Sequence, residues 1–483
     1  MSINNILSDD VLLLIFRFDR LIFFNGPESI HRLLNPSWRW HRLVHVCRKW
    51  RSVIFASPNF LDLKLVCHPD TRVELTGVWP DLPIAIRNSI TPHFPEDYDV
   101  NAAIVRPSRV REMTLFLTDA ELRQFASAMR EPFPALIHLS LVFNHTYSIG
   151  RAPALPDGFL GGSASGLQYL KLNGILFQGL PKLLLSATHL VELCLKSPFH
   201  SGYISPQPMA TCLSALTNLE TFALGFDSDS DDDEYDDLES DNESTYQSSR
   251  RPAPPARFVL SALTHFEFKG DGEYLEDLVD RIDAPRLSHL HITFFHPIDF
   301  GTRHLVQFIN RTPSFETPEK SCVDFDDINV RIRLSSQTSN SGILDVGASC
   351  VTMHGQLTDL VRICTSSFPS LPTIKDLYIS ERRRFLHWRS DPRLLWREFL
   401  RQFSSVKDIY ISCYLVSHIA SSLQLLVEDR STVLATLQNF FLEEFQPSEP
   451  VHEGIEQFVV ARRLSDNPIT VSVWDRDSEQ DGA

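Results

Sequence analysis

An apolar residue followed by others three and five positions later recurs along this chain. The triads are Val110/Met113/Leu115, Leu136/Leu139/Leu141, Leu167/Leu170/Leu172, Leu190/Leu193/Leu195 and Leu219/Phe222/Leu224. After a gap come Leu263/Phe266/Phe268, Leu287/Leu290/Ile292, Ile374/Leu377/Ile379, Val406/Ile409/Ile411 and Leu437/Phe440/Leu442. The last two members of each triad are two residues apart, which predicts a short strand with one face in a core. Segments between triads, such as Ala120–Arg130, Tyr274–Ile282 and Arg393–Phe403, carry apolar residues at helical spacing. No strand-and-helix pair buries its apolar face alone, so the pairs must stack.

Neighbouring triads stand mostly about 23 to 32 residues apart, a period that resembles leucine-rich repeats. Lys375-Asp376-Leu377-Tyr378-Ile379-Ser380 returns almost unchanged as Lys407-Asp408-Ile409-Tyr410-Ile411-Ser412. The asparagine ladder of regular leucine-rich repeats is mostly missing, with Asn173 a loose fit. The expected fold is an α+β repeat: an irregular leucine-rich-repeat-like solenoid behind a small helical N-terminus. Pro318–Ser349 breaks the rhythm, and its Val330–Leu334 and Gly342–Val346 predict a hairpin-like insertion. A helix over Gly454–Leu464 and a strand over Ile469–Trp474 would cap the end.

The N-terminus reads differently. Ser8 or Asp9 can cap a helix in which Leu12, Ile15 and Phe16 share one face, while Val11 and Leu14 widen the apolar surface. In a second block, Leu43, Val46, Cys47, Trp50, Val53 and Ile54 recur at helical spacing until Pro58, and a strand-like Phe60–Leu65 follows. These blocks resemble the F-box family, of the fungal type. The family pattern L-P-x-E-[ILV]-L-x-x-I-F is matched by Leu7–Phe16, and V-C-[RK]-x-W-R-x-[LIV]-x-x-S-P-x-L-W by Val46–Phe60. Ser8 stands where the family has Pro, and Phe60 replaces its Leu-Trp ending. Residues from about 20 to 42 exceed the family's middle, and Pro27, Pro36, Trp38 and Trp40 predict an expanded loop there. The resemblance implies docking on the Skp-type adaptor of a cullin–RING ubiquitin ligase. Leu7, Val11, Leu12, Ile15, Phe16, Leu43, Val46, Cys47, Trp50 and Val53 would carry that contact.

Charge refines the division of the chain. Of 483 residues, 45 are Lys or Arg and 61 Asp or Glu, a net charge of -16. About eleven of the acids fall between Asp227 and Ser249, leaving roughly −5 for the rest, which argues against nonspecific nucleic-acid or membrane binding. Ser228, Ser230 and Ser240 each have an acid three residues on, so this stretch reads as a solvated disordered insertion or as a phosphorylated one. The expected divisions are an F-box-like module at 1–65, a linker with first solenoid strands at 66–109, and solenoid at 110–226. The acidic insertion at 227–257, the second solenoid part with its cap at 258–475 and a polar tail at 476–483 complete them.

Chemistry-bearing motifs are lacking. Ala164 occupies the centre of Gly161–Gly166 where a nucleophilic serine would stand. No phosphate-cradling glycine loop is present, and His452-Glu453 lacks a second metal-binding histidine. Eight scattered cysteines, without a C-x-x-C pair, predict buried thiols in a reducing compartment. Neither enzyme activity, cofactor nor metal is expected. Glu381–Arg389 interleaves cations with aromatics and reads as a solvated loop or partner contact. The between-apolar strand positions Lys171, Cys194, Glu267, His291, Tyr378 and Tyr410 would line the concave, substrate-binding face.

The sequence thus predicts a substrate-recognition subunit of a Skp–cullin–F-box ligase, cytoplasmic or nuclear and monomeric outside the complex, with an unknown protein substrate. The alternative is a leucine-rich-repeat-like interaction scaffold acting outside a ligase.

Overall fold

The computed structural model describes residues 7–22, 43–58, 60–67, 82–87, 107–143, 154–196, 204–226, 257–298, 301–315, 317–336, 342–366, 371–381, 391–428, 433–443, 453–465 and 467–475. Most of the expected loop at about 20–42, the acidic run with Ser228, Ser230 and Ser240, the basic segment Arg382–Arg389 and the tail at 476–483 lie outside them. The chain divides into two compact units, Met1–Tyr203 and Ile204–Ala483.

Unit 1 opens with helices α1 (Asp9–Ile22) and α2 (Arg48–Ala56). Its sheet is built from β1 (Leu65–Cys67), β2 (Ile84–Arg87), β3 (Val110–Leu117), β4 (His138–Phe143), β6 (Tyr169–Asn173) and β8 (Glu192–Lys196), each parallel to the next. Two short strands, β5 (Ala154–Leu155) and β7 (Leu176–Phe177), pair separately. Helices α3 (Asp119–Ala128) and α4 (Leu180–Ser186) occupy connections. The first starts at a capping box, in which the Glu121 carboxylate accepts from the Thr118 N–H and hydroxyl at 2.8 Å.

Unit 2 continues the alternation with α5 (Pro206–Ala215), β9 (Thr221–Gly225), β10 (Phe258–Val259), β11 (His265–Gly270), α6 (Gly272–Val279), β12 (Ile282–Asp283), β13 (His289–Phe295) and α7 (Arg303–Asn310). Three strands follow: β14 (Lys320–Phe325), β15 (Asn329–Ser335) and β16 (Ile343–Ser349). The remainder is α8 (Met353–Ser366), β17 (Asp376–Glu381), α9 (Arg393–Leu400), β18 (Asp408–Ile411), α10 (Val416–Glu428), β19 (Asn439–Glu443), α11 (Glu453–Leu464) and β20 (Thr470–Trp474). The sheet order within this unit is β9-β11-β13-β16-β15-β14-β17-β18-β19-β20.

Each triad explains its strand. Leu139, Leu141, Leu193, Leu195, Phe268, Ile292, Leu377 and Ile379 are fully buried, as are the leading residues Leu167, Leu190, Leu263 and Leu287. That leading residue closes a tight turn: Leu136, Leu167, Leu190, Leu219, Leu263, Leu287, Ile374 and Leu437 each donate their N–H to the carbonyl three residues back. The residue there, among them Phe133, Ala164, Leu216, Leu260 and Leu434, is buried too. Successive turns also bond laterally, as Gln168 N–H does to Ile137 O at 2.9 Å and Lys407 N–H to Lys375 O at 2.8 Å. These bonds pair backbone groups of the turns with backbone partners, without an asparagine side chain.

Three sequence expectations change. Residues 43–56 are not one helix: Cys47 is extended (φ -159°, ψ 171°) and caps α2, its Sγ accepting from Trp50 N–H at 3.5 Å. Phe60–Asp62 is a turn, with Asp62 at φ 45°, and the strand begins only at Leu65. Lastly, the expected hairpin pairing of Val330–Leu334 with Gly342–Val346 is present as β15 and β16, but the segment is part of the sheet and does not interrupt it. Here β15 is antiparallel to both neighbours, while β16 runs parallel to β13 and β14 parallel to β17. An up-down-up excursion restores the original direction, so stacking resumes. Gly347 allows it, because a methyl there would stand 2.3 Å from the Val330 carbonyl oxygen.

Candidate functional site: a helix stripe and an ordered sheet face

On α1 the apolar residues sort to two sides. Leu12 is fully buried and Phe16 is 4% exposed, its ring 4.9 Å from that of Trp50 on α2. Lys49 Nζ donates to the Leu7 carbonyl at 2.7 Å and lies 3.5 Å from Asp9, while Arg51 Nε donates to Val44 O at 3.0 Å. The Phe16–Trp50 and Lys49 contacts fix α1 on α2, and the Arg51 bond holds the turn before α2. Opposite them, Val11 (41% exposed), Leu14 (59%), Ile15 (45%) and Phe18 (64%) face solvent. Their i, i+3, i+4, i+7 spacing makes one stripe.

Leu12, Ile15 and Phe16 therefore do not share a face, contrary to the sequence expectation. A residue's side along α1 is set by where α2 packs, which spacing alone leaves open. Among the other candidates, Val53 is buried, Val46 exposed, and Leu7, Leu43, Cys47 and Trp50 half-buried. Leu14 and Phe18 join the stripe without having been singled out as contact residues.

The outward sheet positions form registered rows. In unit 1, Lys171 lies between Ser140 and Cys194. In unit 2 one row runs Ala223, Glu267, His291, Asp345, Arg333, Cys322, Tyr378, Tyr410, Phe441 and Ser472. Glu267 and His291 are thus neighbours, and so are Tyr378 and Tyr410. Asp345 and Arg333 were not legible as members, because the antiparallel β15 hides the period. Phe441 was within reach, since it stands between the apolar pair Phe440/Leu442 just as Tyr410 stands between Ile409 and Ile411.

Charge within the row is internally paired. Asp345 accepts from Arg333 Nη2 at 3.2 Å and lies 3.4 Å from His291 Nδ1. Burial pushes the Asp345 carboxyl up, but the contacts with His291 and Arg333 outweigh it, and the group titrates below its ordinary value. A depressed folded-state pKa stabilises above the unfolded carboxylate range, and that stabilisation is lost as pH falls through the folded value. Asp345→Asn should therefore lower stability at pH 7 by about 1–3 kcal/mol. It should also flatten the acid limb below about pH 4, where the wild-type group itself protonates. Urea titrations at both pH values would check this, equal losses at each counting against it.

Aromatic rings stack along the later part of the row. Tyr378 and Tyr410 lie 4.1 Å apart at 5°, and Tyr410 and Phe441 4.5 Å apart at 8°. Trp474 meets Tyr378 and Tyr410 edge-on at 5.9 and 5.7 Å. Lys320 Nζ sits 4.2 Å above the Tyr378 ring. Elsewhere His265 and His289 stack at 4.3 Å, and fully buried Asp359 lies 2.7 Å from His296 Nδ1 and accepts from Ile298 N–H at 3.3 Å. That last pair ties the β13 end to α8. Among the described residues, Glu381, Cys413 and Glu443 place donor atoms within 4.8 Å of one another.

No protein-family model matches the chain, and no curated protein matches it. Among solved structures it is similar to the leucine-rich repeat-containing protein LegL7 from Legionella pneumophila. Identity is 14% over 84% of this chain and 98% of that one, with a TM-score of 0.26. It is also similar to the crystal structure of the Rad7 and Elc1 complex in yeast, at 10% identity over 98% of this chain and 94% of that one, with a TM-score of 0.25. The chain's own stacked strand-and-helix units are leucine-rich-repeat-like. No helix among the described residues is long and apolar enough to cross a membrane.

Proposed function

We propose that the chain is the substrate-recognition subunit of a Skp–cullin–F-box ubiquitin ligase. The observation that carries this is the solvent-facing stripe Val11, Leu14, Ile15 and Phe18 on a helix already anchored from its other side by Leu12 and Phe16. An apolar i, i+3, i+4, i+7 stripe suits a helix-binding groove, and it lies within the segment that resembles the F-box. The adaptor would take the stripe, and the repeat units would present a bound protein. Tethering then raises the effective concentration of the substrate at a transfer site held by other subunits. The acidic run with Ser228, Ser230 and Ser240 would act as a phosphorylation-tuned segment, and the cytoplasm or nucleus is where such a ligase works.

Co-expression with a Skp-type adaptor tests the proposal. Wild type should retain the adaptor through affinity and size-exclusion steps. Ile15→Asp should reduce retention at least about tenfold, by placing a charge in an apolar contact, with thermal stability unchanged because Ile15 touches solvent. A wild type that never retains the adaptor would favour the scaffold acting outside a ligase.

A further inference from the structure

The sheet of unit 2 ends at β20, and that end is open. Thr470 N–H donates to Gln438 O at 2.9 Å, so Thr470, Ser472 and Trp474 turn their backbone groups toward β19. In a parallel ladder the residues between them turn theirs the other way. The N–H and C=O groups of Val471 and Val473 therefore point off the free edge, and none has a partner among the described residues. Their side chains are in register with Phe440 and Leu442, on the core side of the sheet. Phe440 and Leu442, with a strand on either side, are buried. Val471 is only half-buried and Val473 is 47% exposed, because β20 has a neighbour on one side alone.

The usual protections of a strand edge are lacking here. Thr470–Trp474 holds neither a charge nor a proline, and no bulge breaks its register with β19. Residues 475–483 include no large apolar side chain that could cover the two valines. In β1, at the other end of the strand order, Leu65, Val66 and Cys67 are all buried. Head-to-tail pairing of β20 with β1 of another copy is thus closed off.

We propose that β20 pairs with β20 of a second copy of this chain, antiparallel about a two-fold axis at Ser472. The sequence Val471-Ser472-Val473 is its own complement under that operation. Val471 exchanges N–H···O bonds with the partner's Val473, and Val473 with the partner's Val471, so every outward backbone group of the two valines is used. The four valines meet on the core side, where each copy leaves them uncovered. Although the chain is acidic, the contact itself is uncharged. Asp475 lies three residues from the axis, which puts it about 20 Å from the partner's Asp475 at roughly 3.3 Å per residue, beyond the screening length of roughly 8 Å. So short a contact makes a weak dimer, with Kd on the order of 1–100 µM. This departs from the monomer expected from the sequence, and it does not depend on the ligase reading.

Sedimentation velocity of the full chain from about 1 to about 200 µM tests the proposal. The 55.1 kDa chain should move toward twice its mass as concentration rises. Val473→Lys puts a charge on the free edge, and Val471→Pro removes an outward N–H without touching the ladder to β19. Each should weaken association at least about tenfold, with thermal stability close to that of wild type. The register has its own test. At the axis Ser472 stands about 4.5 Å, Cα to Cα, from its mate, within disulfide reach. Ser472→Cys should therefore cross-link two copies under mild oxidation, above the background that the native cysteines give in wild type. Thr470→Cys, which faces the partner's Trp474, should not. A chain that stays monomeric at every concentration overturns the proposal, as does association unaltered by both edge variants. Equal cross-linking through positions 470 and 472 overturns it too. Association abolished by Ile15→Asp but kept by Val473→Lys would place the contact on the α1 stripe instead, and would likewise overturn it.

Discussion

Trp396→Ala is expected to destabilise unit 2 by about 3–5 kcal/mol, the cost of deleting a large aromatic from a closed core. Trp396 is fully buried on α9, between Phe325 of β14 at 5.7 Å and Phe399 at 5.8 Å, with Phe403 stacked edge-on beyond it at 5.0 Å. It therefore ties β14, the first strand of the up-down-up excursion in chain order, to the connection that follows β17. Removing it leaves a cavity lined by rings whose neighbours belong to different repeats, so local collapse is restricted. Trp396→Phe, which keeps part of the volume, should cost less. Hydrogen exchange read by segment is the suitable measurement, because two compact units need not melt as one transition. Protection should fall over β14, β17 and β18 while β3–β8 keep theirs. A uniform loss, or none, would contradict a repeat body held by nearest-neighbour contacts.

The strands of this core were legible because each depends on a local rule. Leu377 and Ile379 are buried for the same reason as Ile409 and Ile411, and one hexapeptide repeated in the sequence becomes two strands in register, Asp376 on Asp408 and Tyr378 on Tyr410. The Tyr–Tyr neighbour pair follows directly. What escaped the sequence depends on direction or on distant partners. The hairpin of Val330–Leu334 with Gly342–Val346 was legible, but not its insertion between β13 and β17, so Arg333 and Asp345 could not be put in the same row as His291 and Tyr378. Trp474 could be assigned to a final strand, but not to the edges of Tyr378 and Tyr410. At the N-terminus, spacing marked Leu12, Ile15 and Phe16 as apolar neighbours. Only the position of Trp50 divides them into an anchored side and a free one. The break at Cys47 was hidden for a related reason, since a cysteine gives no strong capping signal in sequence.

That division makes Leu12→Asp and Ile15→Asp different experiments on one helix. Leu12 is fully buried, and a carboxylate there would be desolvated without a partner, costing several kcal/mol. Two short helices joined by the Phe16–Trp50 contact, the Lys49–Leu7 bond and the Lys49–Asp9 ion pair have little in reserve against such a cost. Leu12→Asp should thus detach α1 from α2 and eliminate adaptor retention, with rapid hydrogen exchange confined to residues 9–22. Ile15→Asp should lose retention with α1 still protected, since the new charge meets water in the free chain and the cost arises only on docking. If the two variants were equally protected and both retained the adaptor, the stripe would not be the docking face. Retention lost by Leu12→Asp alone would move the contact from the stripe to whatever α1 holds in place, with Val46, exposed at the turn before α2, the next residue to change.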